Sequence, residues 1–274
     1  MAVTMADITH LRKMTGAGMM DCKTALTESN GDFEKAVEII RKKGQAVAAK
    51  RSDRDASEGC VLAKTDGNYA AMIALKCETD FVAKNADFIA LTTEILDLAI
   101  ANRSVDIEAV KRLQLGKDTV ADAVVNRSGI TGEKMELDGY SFVEGQTTTV
   151  YIHPGNKLAT MIALNQAGID AQVAREVAMQ VAAMNPISID PASVPSEVLI
   201  REKQIAADKA RQEGKPENMI ERIAEGRIGK FYKEACLLEQ EYIKDGKLTV
   251  AQFLDNHSKG LTVTAFKRFT LNAE

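Results

Sequence analysis

One short phrase occurs twice in this chain. Gly67-Asn68-Tyr69-Ala70-Ala71-Met72-Ile73-Ala74-Leu75 returns as Gly155-Asn156-Lys157-Leu158-Ala159-Thr160-Met161-Ile162-Ala163-Leu164, with one extra residue between the Gly-Asn pair and the Met-Ile-Ala-Leu run. Each copy follows a strand-like segment, residues 59–65 in the first and 147–152 in the second. Gly-Asn between two such runs is a hairpin signal. A helical pattern follows each copy. Phe88, Ile95 and Ala99 line one face of the first, flanked by Leu91 and Leu98. Val173, Val177, Val181 and Met184 recur at spacings of four and three in the second. A hairpin that buries one face under a helix, made twice, predicts an α+β fold with two pseudo-symmetric core subdomains.

The copies differ just after the strand. The second continues as Asn165-Gln166-Ala167-Gly168, a bland turn, whereas the first continues as Cys77-Glu78-Thr79-Asp80-Phe81-Val82-Ala83-Lys84. From local pattern alone, Asp80 is a helix cap and Phe81 a core residue. A structural need shared by both copies would not place Asp-Phe in only one of them. That asymmetry marks Asp80 and Phe81 as contact residues on a loop carried between a strand and a helix, a favoured place for function.

Around this core the chain is helical. Ile8, Leu11 and Met14 recur at helical spacing up to the break at Thr15-Gly16-Ala17-Gly18. A second segment places Cys22, Ala25 and Leu26 on one face and stops at Asn30-Gly31. Asp32 caps a third, with Phe33, Ala36, Val37 and Ile40 inward, which is expected to end at Gly44. Met19 and Met20 do not both fit one core stripe, and methionine suits an adaptable protein contact. Residues 50–55 alternate in charge and read as a solvated linker or frayed helix end. Residues 102–138 are polar and irregular, with 128–133 expected to turn. Beyond the prolines at 186, 191 and 195, Ser196 is expected to cap a charged helix running to about Gln212. Gly214-Lys215-Pro216 turns the chain into a second helix carrying Ile220, Ile223, Ile228 and Phe231. These two helices predict a projecting antiparallel hairpin. Its stripe serves self-association or packs between its own helices, and the sequence supports both. Thr249 and Gln252 form a capping box, and a last strand is expected over 261–269. The expected domains are 1–52, 53–142, 143–190 with 234–274, and the hairpin 191–233.

A net charge of -4 argues against global attraction to phosphate backbones. The four cysteines are scattered with no C-x-x-C pair, so zinc is not expected. Neither a signal-peptide core nor a spanning apolar run is visible, and a soluble cytoplasmic protein is expected.

Two stretches carry a family resemblance. Residues 11–26, Leu-Arg-Lys-Met-Thr-Gly-Ala-Gly-Met-Met-Asp-Cys-Lys-Thr-Ala-Leu, closely resemble the N-terminal signature of bacterial elongation factor Ts. Thr79-Asp80-Phe81-Val82-Ala83-Lys84-Asn85 matches that family's second signature in full. Upstream it departs, with Lys76 where Asn is usual and Ala74 where Glu is common. The resemblance implies a ubiquitin-associated-like N-terminal module and exchange of guanine nucleotide on the GTPase elongation factor Tu. It implies a partner-binding set of Asp80, Phe81, Thr79, Val82, Lys84, Arg12, Met19 and Met20. It adds His153, which by itself would be an ordinary solvated turn residue. It implies no cofactor, no direct nucleic-acid or membrane partner and no enzyme chemistry, with a homodimer or 2:2 complex left open. The chain lacks a phosphate loop of its own. Some members of the family carry a further C-terminal helical module, which has no counterpart before Glu274, so contacts through it are not expected. Two rival readings are a thiol enzyme built on Cys77, which would need an adjacent base, and an adaptor that binds without releasing nucleotide.

Overall fold

In a computed structural model, which describes residues 3–272, the repeated phrase becomes the central strand of two three-stranded sheets. The first part of the chain forms α1 (Met5–Thr15), α2 (Met19–Glu28), α3 (Phe33–Lys50), β1 (Glu58–Asp66), β2 (Tyr69–Cys77), the single-turn α4 (Asp80–Ala83) and α5 (Ala86–Ala101). Next come α6 (Ile107–Arg112), β3 (Gln114–Leu115), β4 (Asp118–Thr119), α7 (Val120–Thr131) and β5 (Met135–Glu144). The rest comprises β6 (Thr147–Ile152), β7 (Leu158–Leu164), α8 (Ala171–Met184), α9 (Ser196–Gln212) and α10 (Glu217–Ala235), then β8 (Glu241–Tyr242), β9 (Asp245–Thr249), α11 (Val250–His257) and β10 (Val263–Thr270). The sheet orders are β1-β2-β5 and β10-β7-β6. The fold is α+β. Two compact units emerge, one of residues 3–62, 73–141 and 271–272, the other of residues 63–72 and 142–270.

In the first unit, α1 begins at a reciprocal Thr4–Asp7 cap and ends at Gly16, whose φ of 72° is a left-handed stop. Ile8, Leu11, Cys22, Ala25, Leu26 and Ala36 form the buried core of α1–α3. The third helix does not end at Gly44. It runs on to Lys50, and Gly44 is buried within it. The glycine is there for packing: a Cβ on Gly44 would lie 3.4 Å from the Gly129 Cα on α7, and one on Gly129 would overlap Gly44 outright. Two glycines facing one another let the helix backbones approach closely.

Residues 102–138 are ordered, contrary to the irregular segment expected. Ser128–Thr131 belongs to the end of α7, and only Gly132, at φ 73°, makes the turn. Along α7 the buried positions are Val120, Val124 and Ser128. A serine in the third core position hides the stripe from a hydropathy reading. The 50–55 segment is not merely solvated either, because Arg51 and Arg54 both donate to Glu78, at 3.0 and 3.2 Å.

In the second unit all seven residues of β7 are buried. It pairs antiparallel with both neighbours, so that Leu164 faces Thr147 on β6 and Val263 on β10. Val173, Val177 and Val181 of α8 pack in the same core cluster as β7's Ile162 and Leu164, as their spacing predicts. Met184 departs from that stripe, being 44% exposed at the helix end. Gln180 is buried instead, donating to Gln240 Oε1 at 3.2 Å and accepting from the Ile243 N–H at 2.9 Å. Ser196 is the first residue of α9 rather than its cap, and makes no capping bond. The α9–α10 pair buries Ala206, Ala210, Ile220, Ala224 and Ile228, while Ile223 and Phe231 stay half-buried. The Thr249–Gln252 capping box is present at α11.

Candidate functional site

The strand β2 ends in Cys77, and the chain then makes one helical turn whose N-cap is Thr79. Asp80 is thus the first residue of the turn rather than its cap. Phe81, the next residue, is 84% exposed. An exposed phenylalanine is not core, and the local reading of Phe81 as core does not hold. Val82 is half-buried, and Lys84 reaches back to Asp80 at 2.7 Å, a surface ion pair at i,i+4.

The turn is braced from beneath. Thr79 donates its hydroxyl to Glu133 Oε1 at 2.6 Å and its backbone N–H to Oε2 at 3.1 Å. Glu78 accepts from the Lys134 backbone N–H at 2.6 Å and from both Arg51 and Arg54. Adjacent residues 78 and 79 are therefore fastened to adjacent residues 133 and 134. The Lys134 amide, more than the two guanidiniums, holds the Glu78 carboxyl below the usual carboxylate range. The bracing residues Arg51, Arg54, Glu133 and Lys134 are ones that sequence reasoning missed. No local pattern announces them, because each acts on a partner far away in sequence.

Cys77 donates its thiol to the Thr79 carbonyl at 3.2 Å. Burial, and then the nearby Glu133 charge, push the thiol pKa up to about 12. A nucleophilic cysteine needs the opposite environment, so the thiol-enzyme reading loses its physical basis. Among the described residues, no cluster of three or more His, Cys, Asp and Glu side chains is placed to hold a metal ion. No described helix is long and apolar enough to cross a membrane.

The remaining candidates sit on other elements. Arg12 is exposed on α1. Met19 is partly buried against the α1–α3 core, whereas its neighbour Met20 is 70% exposed, so the two methionines do divide between core and surface. His153 lies in the other unit, exposed in the β6–β7 turn, with its Nδ1 2.9 Å from the Tyr151 hydroxyl. Thus Thr79, Asp80, Phe81, Val82 and Lys84 share one turn, Arg12, Met19 and Met20 share the helical N-terminal segment, and His153 stands by itself in the second unit.

The turn after the second copy is spent internally. Asn165 donates to the Gly260 carbonyl at 2.9 Å and accepts from Thr262 N–H at 2.9 Å, and Gln166 donates to the Lys259 carbonyl at 3.0 Å. One copy uses its turn to hold its own fold, and the other presents an aromatic ring to solvent.

Comparison with known proteins agrees with the two signatures. Residues 78–273 match the family model described as Elongation factor TS. The chain is 58% identical to Elongation factor Ts of Porphyromonas gingivalis, 54% identical to that of Phocaeicola vulgatus and 49% identical to that of Azobacteroides pseudotrichonymphae. Each of these matches covers the whole of both chains. A match across the braced turn, the second sheet and the helical hairpin leaves one assignment: the chain belongs to the elongation factor Ts family.

Proposed function

We propose that this protein is a guanine-nucleotide exchange factor that binds elongation factor Tu carrying GDP and accelerates release of the GDP. The observation that carries the reading is Phe81, an aromatic ring held out to solvent on a braced turn, in a chain of this family. Phe81 enters an apolar pocket of the GTPase, and Asp80 disturbs the region that holds magnesium there. Loss of the metal removes charge neutralisation from the diphosphate, and GDP leaves. The protein does no covalent chemistry. It stabilises the nucleotide-free GTPase, which then accepts GTP and aminoacyl-tRNA.

Thr79, Val82 and Lys84 complete the contact around the wedge. Arg12, Met19 and Met20 grip the GTPase domain, and His153 touches another domain of it. Residues 1–52 form the ubiquitin-associated-like module, 53–142 and 143–190 with 234–274 the two core subdomains, and 191–233 the inserted hairpin. Self-association, as a homodimer or a 2:2 complex, would use the exposed Ile200, Ile205 and Met219, because the hairpin's apolar stripe is largely occupied between its own helices. The protein works in the cytoplasm without a cofactor, nucleic acid or membrane.

Linkage supplies a test. A protein that weakens GDP binding must itself be weakened by GDP by the same factor, each tenfold step being about 1.4 kcal/mol. Titration of the GTPase with this protein, with and without GDP, is expected to give an affinity ratio equal to the ratio of GDP affinities measured the other way. Equal affinities in the two titrations would mean binding without exchange, the adaptor reading.

A further inference from the structure

We infer that Glu133 is a positioning residue for nucleotide exchange, aiming Phe81 by clamping the N-terminus of the turn that carries it. The inference rests on the exchange reading above. A helix of one turn has almost no stability of its own. Here it is closed by three backbone bonds, Ala83 N–H to the Thr79 carbonyl and Lys84 N–H to the Asp80 carbonyl, each 3.1 Å, and Asn85 N–H to the Val82 carbonyl at 3.0 Å. The Thr79 hydroxyl already serves as the cap, accepting from the Val82 N–H at 3.5 Å. A merely structural turn needs nothing more.

Yet Glu133, 54 residues away in sequence, takes both the N–H and the hydroxyl of Thr79 on its two oxygens. Two bonds to one residue fix orientation as well as position. One residue back, Glu78 is held by the Lys134 amide and by Arg51 and Arg54 in the turn that follows α3. Phe81 lies two residues beyond this double anchor and makes no use of the core. Its direction is therefore set by the clamp. A wedge that must enter a pocket gains from such preorganisation, because misplacement by about 1 Å can cost orders of magnitude in rate.

Two measurements on the full-length protein test this, using Glu133→Ala and Glu133→Gln. Glutamine keeps one acceptor, for the Thr79 N–H, and can donate its amide N–H to the Thr79 hydroxyl, but loses the charge, so it should fall between wild type and alanine. The first measurement is amide hydrogen exchange of residues 79–84 in the protein by itself. Thr79 should exchange at least about tenfold faster in Glu133→Ala, with global unfolding little changed. The second is release of fluorescent GDP from elongation factor Tu over a range of protein concentrations. The maximal rate should fall at least about tenfold in Glu133→Ala and less in Glu133→Gln, while the half-saturating concentration moves much less. A wild-type maximal rate in Glu133→Ala overturns the inference. So does a loss that merely tracks the unfolded fraction, or one confined to the half-saturating concentration. If the wild-type protein itself leaves GDP release unaltered, the exchange reading has failed and this inference falls with it, which the wild-type trace reveals before any variant is compared.

Discussion

Phe81 leaves in water a side chain whose burial is ordinarily worth about 1.5–3 kcal/mol, so this chain's own fold gains little from it. With its pKa pushed up to about 12, Cys77 should react with iodoacetamide at pH 8 slower than a free thiol, by roughly a thousandfold from thiolate fraction alone. Alkylation at a free-thiol rate, followed by mass spectrometry of the Cys77 peptide, would contradict that environment. In the second unit Glu176 is the sensitive group. Burial works to raise its pKa, but hydrogen bonds from Lys244, Tyr242 and Gln172 outweigh it and hold the carboxyl at about 2. A depressed carboxyl stabilises the fold above its unfolded pKa and loses that contribution as pH falls. The second unit should therefore lose at most about 3 kcal/mol between pH 4.5 and 2. In Glu176→Gln, thermal unfolding over this window should depend less on pH, and an unchanged slope would refute the assignment. At this scale the departure of Phe81 from the core was legible, because the two copies of one phrase part company there. Glu133 was not, because a carboxylate's partner 54 residues away leaves no local pattern.

Among the elements, α3 and α7 meet through glycines, and that contact makes a prediction. Gly129→Ala would drive a methyl group into the Gly44 backbone, whereas Gly44→Ala meets Gly129 only at 3.4 Å. Overpacking of this kind costs about 1–3 kcal/mol and more when backbone must move. Gly129→Ala should lower the melting temperature of the first unit clearly more than Gly44→Ala does. Equal effects would mean that the helices are not in this register. Helix starts were readable where the cap is local, as at Asp32 and Thr249, since the hydroxyl or carboxylate and its amide are three residues apart. They were unreadable where the reason is tertiary. Gly44 looks like a stop until Gly129 is seen opposite it, and α7 looks irregular because Ser128 occupies a core position, bonding through its hydroxyl to the Glu133 carbonyl. The third strand of the first sheet, β5, also went unanticipated, since residues 135–144 have no counterpart in the repeated phrase.

For the whole molecule, the repeated phrase supplies two central strands, and the segments that follow them differ. One corner is consumed by Asn165 and Gln166 in bonds to the segment before β10. The other, braced by Glu78 and Glu133, carries the exposed Phe81. The proposed exchange activity rests on one exposed aromatic side chain carried on a braced turn. Because Phe81 is almost wholly exposed, its truncation should leave folding intact while abolishing the wedge. The most direct measurement is release of fluorescent GDP from elongation factor Tu with no added protein, with this protein and with its Phe81→Ala variant, the melting temperatures of both proteins being recorded alongside. Fast release with wild type, slow release with an equally stable variant, is the predicted result. Release equally fast with both would contradict the wedge, and binding without any acceleration would contradict the exchange function itself.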